Sequence, residues 1–442
     1  MTSFCKRHKI ISAFLAILVV LFVVLAYRSL GPWRLYRADI VKGAEEPVQS
    51  PLRVGVAKRD ITPDLSKYDR FVDVDGDNRW EPDDGDHFED TNGNGELDAV
   101  WIAGFNNNRP AQGVHDPLWA RAIAFENNGV RVVLVTVDSI GLFHEKIIGM
   151  RKLLDPALGV DHMMVSCLHD HEASDTMGIW SVGVESPHYR FDAEYMTLLK
   201  HAVVDAAEEA VRNLEPAEAI LAEVEAGPEG YMDDSRIPLV YDNVIRCARF
   251  VSPGEGTPSV ESADRSGDRP QQETIATMVV WGNHPETLGS DNPYLTSDFS
   301  HYWREGVERG VPEPNGAEGL GGMCLYFQGQ VGGLMTQLHT TVPHRNGRLR
   351  FRENSFEKAE SLGYNLALLT LDALRSVRAF RMEETQVAVA AKTTFVSVKP
   401  LFGLGLALGL VHPGWYWGKA RTEIDAFRIG DIEILTIPGE IY

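Results

Sequence analysis

Ile275-Ala276-Thr277-Met278-Val279-Val280-Trp281-Gly282-Asn283-His284-Pro285-Glu286-Thr287-Leu288 is an apolar, strand-like run that stops abruptly on a histidine held by a proline. The same arrangement recurs twice. His162-Met163-Met164-Val165-Ser166-Cys167-Leu168 runs into His169-Asp170-His171, and Ile432-Glu433-Ile434-Leu435-Thr436-Ile437 runs into Pro438-Gly439-Glu440. In α/β sheets, ligands collect where strand C-termini splay apart, so side chains far apart in sequence have a common meeting place. Two imidazoles and one carboxylate with a coordination position left open make a catalytic zinc set. The candidate ligands are a histidine of His169-Asp170-His171, together with His284 and Glu440.

The surrounding chain fits a folded protein. Its 442 residues have room for one large core or two domains, and 44% hydrophobic with 24% charged residues is a globular composition. A formal charge of -21 argues against a nucleic-acid partner, because phosphate binding needs a basic face. The acidic surface fits a secreted or calcium-rich setting, although a charge excess is most often a plain solvated face.

Lys6-Arg7-His8-Lys9 precedes an uncharged stretch from Ile10 to Ala26, which is at the short end for a membrane-spanning helix and long for a signal-peptide core. With no clear cleavage site near Ala26, residues 1–30 read as an uncleaved signal anchor and 31–52 as a linker, placing the body outside the cytoplasm; a cleaved signal is the other reading. Cys167, Cys247 and Cys324 follow the anchor. They are an odd number and indicate no disulfide framework.

Strand patterns at Leu52–Pro63, Trp119–Phe125 and Val130–Asp138 alternate with helical spacing over 143–154, 192–213 and 355–377. The strands are too apolar for a one-sided sheet. The expected fold is therefore α/β, with mixed, largely buried sheets flanked by helices and preceded by the N-terminal transmembrane helix. Residues 252–272 read as a surface loop. The greasy Pro400–Val411 segment suits a buried element or an apolar substrate entrance.

An acidic insertion at about 70–100 carries oxygen side chains at every second position, the way a tight loop wraps a hard cation. Asp73, Asp75, Asp77 and Asp84 in its first half, and Asp90, Asn92, Asn94 and Asp98 in its second, are candidate calcium ligands. A solvated acidic loop is the competing reading. His169-Asp170-His171 at strand spacing puts two imidazoles on one face, as a metal ligand with a polarising neighbour or as a structural pair. His115-Asp116 reads as a turn-fixing pair. Gly329 to Thr336 reads as either an oxyanion-binding loop or a plain turn.

In order, Val54-Gly55-Val56-Ala57-Lys58-Arg59-Asp60-Ile61-Thr62-Pro63, Leu118-Trp119-Ala120-Arg121-Ala122, Leu168-His169-Asp170-His171, His284-Pro285 and Ile437-Pro438-Gly439-Glu440 resemble the landmarks of the neutral/alkaline, non-lysosomal ceramidase family. The resemblance runs from about residue 53 to the C-terminus. It implies a zinc amidohydrolase that cuts the amide of a ceramide into a fatty acid and a sphingoid base. It also implies zinc on His169, His284 and Glu440, with His171 as the neighbouring essential histidine and Arg236 in Ser235-Arg236-Ile237-Pro238 as the counterpart of the family's arginine before a short proline turn.

Departures from the family pattern are specific. The family's Gly-Asp-x-Ser-Pro is Gly332-Gly333-Leu334-Met335-Thr336 here, so Met335 stands at the serine and Thr336 is the nearest hydroxyl. Asp170 and Glu172 alter the histidine motif, and Glu286-Thr287 replaces small residues after His-Pro. The family's zinc tyrosine lies beyond the glutamate, and Tyr442 is too close to replace it, so the C-terminal part of the family plan is expected to be missing from the 53–442 domain. The leading expectation is a membrane-anchored, extracytoplasmic zinc hydrolase of a lipid or other N-acyl substrate, with His171, Arg236 and Thr336 as catalytic groups. A non-catalytic, calcium-stabilised surface module is the alternative.

Overall fold

The computed structural model describes residues 2–45, 50–181, 192–254, 272–331, 334–400, 415–416 and 419–439. Three five-stranded sheets organise them. The first has the spatial order His162–Cys167, Val130–Val137, Trp119–Asn127, Arg53–Asp60, Glu215–Pro216. The second runs Met323–Gln328, Thr274–Trp281, Val244–Val251, Glu218–Glu225, Phe380–Arg381. Each has a single parallel pair at one edge, His162–Cys167 with Val130–Val137 and Thr274–Trp281 with Met323–Gln328.

Side-chain alternation along these strands explains the layering. Ile123, Phe125, Val132 and Leu134 face the second sheet, where they pack with Phe250, Ala276, Met278 and Leu325. The Phe125 and Phe250 rings meet edge to face with centroids 5.2 Å apart. The intervening residues Ala122, Ala124, Val133 and Val135 face the other way, against Leu199, Val203 and Ala206 of the helix Ala193–Arg212. On the far side, Val279, Trp281 and Tyr326 pack on Phe299, Trp303, Leu366 and Leu371 from the helices Phe299–Arg309 and Phe356–Arg375. The result is a helix–sheet–sheet–helix stack. Strands covered on both faces read as continuous apolar runs, as the sequence indicated.

Asp192 starts its helix by accepting hydrogen bonds from the amides of Glu194 and Tyr195, and Ser355 does the same for Lys358. The third sheet is antiparallel. It is built on Val387–Ser397 and Lys419–Ile429, with Asp39–Lys42 on one edge. Ile432–Leu435 pairs with Lys419–Ile429.

Two expectations change. Ile432–Ile437 is not a buried strand: it sits at a sheet edge with one face out, leaving Leu435 67% and Ile437 44% exposed. The N-terminal helix Thr2–Leu30 forms, but among the described residues no helix is long and apolar enough to cross a membrane. The transmembrane helix, and the membrane partner it implied, are therefore not supported. Cys167, Cys247 and Cys324 are unpaired thiols. Residues 255–271 and 401–414, where a surface loop and a greasy element were expected, lie outside the described residues.

Candidate metal centre

The two parallel edge pairs point the same way, and the histidines follow their C-terminal ends. After Cys167, Leu168 N donates to Val137 O at 3.0 Å and Asp170 N to Ser139 O at 3.2 Å, extending the pairing past the strand. His169 sits between them at φ 60°, a left-handed conformation that costs a non-glycine residue about 1–3 kcal/mol and collects at functional sites. After Trp281, the chain turns so that His284 N donates to Met335 O at 3.1 Å.

The imidazoles of His169, His171 and His284 converge. Their ring centroids are 5.0, 5.0 and 5.4 Å apart in the three pairings, and one ligand nitrogen from each lies within 4.8 Å of the other two. His169 Nδ1 is 2.9 Å from Ile140 O, and His284 Nδ1 is 2.7 Å from Met335 O. A carbonyl only accepts, so Nδ1 carries the proton in both rings and Nε2 carries the lone pair. This is how a second layer of hydrogen bonds fixes the tautomer of a metal-binding histidine. The donor set fits a zinc ion.

His171 is held differently. Its backbone N donates to Pro285 O at 2.9 Å, joining the two histidine loops. Its ring meets Phe105 edge to face at 5.0 Å, and Glu286 Oε2 faces its Nδ1 at 3.1 Å. Burial, then the neighbouring imidazoles and Arg109, hold its pKa well below the ordinary histidine value. Gly104, at φ 105°, lies so close that a Cβ there would come within 2.4 Å of His171 Cβ.

Arg109 ties both loops together from beneath. Fully buried, it donates to His171 O at 2.7 Å, Ala103 O at 2.6 Å and Gly289 O at 3.2 Å, and it pairs with Glu172 at 3.3 Å. Glu172 also accepts from Asn292 Nδ2 at 2.8 Å. Burial pushes the Glu172 carboxyl upward, and Arg109 opposes that shift.

Glu440, the expected third ligand, lies outside the described residues, as do Gly332 and Gly333 of the expected oxyanion loop. Asp233–Asp234 pairs antiparallel with Met335–Thr336, so Arg236 follows by two residues a strand paired with the one whose Met335 carbonyl holds His284. Arg236 is half-buried, and its amide donates to Asp234 Oδ1 at 3.0 Å. Thr336 is buried, and its Oγ accepts from Leu338 N at 3.1 Å. Sequence reasoning missed Gly104, Arg109 and the Glu286 contact, which depend on partners brought in by the fold.

In the acidic insertion, Asp73, Asp75 and Asp86 bring one oxygen each within 4.8 Å of one another. Asp86 thus takes the place expected of Asp84, which is spent in the short 3-10 turn Pro82–Asp84. Asp77 accepts from Arg79 N at 2.9 Å. In the second loop, Asp90 accepts from Gly93 N and Gly95 N, Asn92 from Asn94 N and Asn94 from Glu96 N, while Asp98 receives both asparagine amides. His115-Asp116 is a turn-fixing pair, with Asp116 also accepting from Ser297 N at 2.9 Å.

These observations define a mixed-sheet α/β protein whose strand ends gather three imidazoles suited to a metal. No protein-family model matches the chain, and no curated protein does. Solved structures do match. A ceramidase complexed with C2 aligns at TM-score 0.56 and 14% identity, over 88% of this chain and 63% of that one. The neutral ceramidase from Pseudomonas aeruginosa aligns at TM-score 0.56 and 15% identity, over 88% of this chain and 62% of that one. The chain has the neutral ceramidase fold, and it spans less than two thirds of the length of these structures.

Proposed function

We propose that the protein is a zinc-dependent hydrolase that cuts the amide bond of an N-acyl sphingoid lipid or a related N-acyl substrate. The observation that carries this reading is the convergence of His169, His171 and His284 at the ends of the two parallel edge pairs. When bound, zinc supplies Lewis acidity, lowering the pKa of water toward neutrality and polarising a carbonyl. His169 and His284 would hold it through Nε2, with Glu440 as the proposed carboxylate ligand. His171, kept neutral by burial and faced by Glu286, takes the proton from the attacking water and passes it to the departing amine as the C–N bond breaks. Arg236 and the Thr336 hydroxyl face the developing oxyanion.

A lipid substrate is supported by the apolar rim beside Arg236, where Ile237 is 90%, Leu239 56% and Val240 57% exposed. Calcium in the Asp73, Asp75 and Asp86 loop is a structural accessory of the same reading. The basic Lys6–Lys9 stretch before the apolar run supports an extracytoplasmic address. Turnover of a fluorescent N-acyl sphingosine panel by the purified chain tests the proposal. We expect hydrolysis that is lost in His284→Ala and after chelation. Binding without turnover, retained in His284→Ala, would instead favour the calcium-stabilised module.

A further inference from the structure

A second group of ligand-type side chains lies away from the three histidines and has no part in the chemistry above. Glu423 and Asp425 alternate on the strand Lys419–Ile429 and therefore share one face. His162 opens the strand His162–Cys167, at the end opposite to the one that leads to His169. All three side chains are sealed in, at 4%, 6% and 2% exposure respectively.

His162 Nε2 lies 3.3 Å from Glu423 Oε1 and 3.4 Å from Asp425 Oδ2. Tetrahedral bonds of zinc length set ligand atoms about 3.3–3.4 Å apart. Hydrogen-bond geometry is not met: His162 Nε2 and Asp425 Oδ1 are buried without a hydrogen-bond partner. His144 Nε2 is a third such atom, 4.0 Å from Glu423 Oε2. Arg151 braces Glu423 from outside, with Nη1 2.5 Å from Oε1 and its Nε on Met163 O at 2.7 Å, as outer partners brace carboxylate ligands. Two carboxylates share the one guanidinium of Arg151, an arrangement that a divalent cation would complete in a sealed site.

We propose that His162, Glu423 and Asp425 bind a divalent transition-metal ion, zinc by donor chemistry, which fastens the third sheet to the first. One imidazole with two carboxylates favours the zinc class over calcium, and the sealed setting makes the ion structural rather than catalytic.

The full chain, stripped with a chelator, is titrated with Co2+ alone in excess Ca2+, and the bound metal is read by equilibrium dialysis and visible absorption. Asp425→Asn and His162→Gln should each bind one equivalent fewer than the unaltered chain. That difference does not depend on the three-histidine centre, which His284→Ala removes separately. Equal stoichiometry in the unaltered chain and a folded Asp425→Asn overturns the proposal, leaving His162 as a protonated partner of the two acids. If Asp425→Asn and His162→Gln fail to fold, His284→Ala decides: one retained equivalent supports the fastener, and none overturns it.

Discussion

Gly104 shows how a single position sets the centre. At φ 105°, with His171 pressed against the missing Cβ, it admits no side chain without moving that histidine. Gly104→Ala should destabilise the fold by about 1–3 kcal/mol, the range for a strained backbone position, and reduce metal retention, measured by denaturant unfolding and metal content. Arg109 is the second such position. Arg109→Met breaks the buried pair with Glu172 and removes the donor to the His171, Ala103 and Gly289 carbonyls, and the expected loss is about 3–5 kcal/mol in chemical denaturation. Neither residue was legible as part of the site. Arg109 lies in the polar Asn106-Asn107-Asn108-Arg109-Pro110 segment, which reads as surface loop, and its carbonyl partners at 171 and 289 are set by tertiary structure alone. His169 and His284 were legible because an apolar run that ends on a histidine is a local pattern.

Among the elements, the helix Phe299–Arg309 has the most telling start. Its N-cap Asp298 accepts from Thr287 N at 2.8 Å, three residues past His284, and so couples the helix to the metal-site loop. Burial raises the Asp298 carboxyl to about 6, above an unfolded value of about 3.9. The folded state then binds more protons than the unfolded state between those values, so this group makes stability fall as pH rises from about 4 to about 6. Asp298→Asn should flatten that part of the stability–pH curve, as followed by thermal unfolding across the window. The helices Ala193–Arg212 and Phe356–Arg375 were readable from periodicity, whereas Phe299–Arg309 was not singled out. The strand at Ile432 misled because an apolar run at a sheet edge looks like a buried one until its neighbours are known.

For the whole molecule, two mixed sheets packed face to face between helical layers explain why residues more than a hundred positions apart meet. Each sheet ends a parallel edge pair at the same pole, and each pair delivers a histidine there. The continuous apolar runs of the sequence indicated buried strands flanked by helices, but not that two sheets would stack with those ends together. That stacking comes from the Phe125, Phe250, Met278 and Leu325 interface. The third sheet is joined through Glu423 and Asp425 to His162, at the far end of the strand that leads to the centre.

Anomalous scattering at the zinc edge from crystals of the full chain tests the central claim most directly. The account predicts a peak within bonding distance of His169 Nε2 and His284 Nε2. Crystals grown with zinc that show no peak between these imidazoles would contradict it.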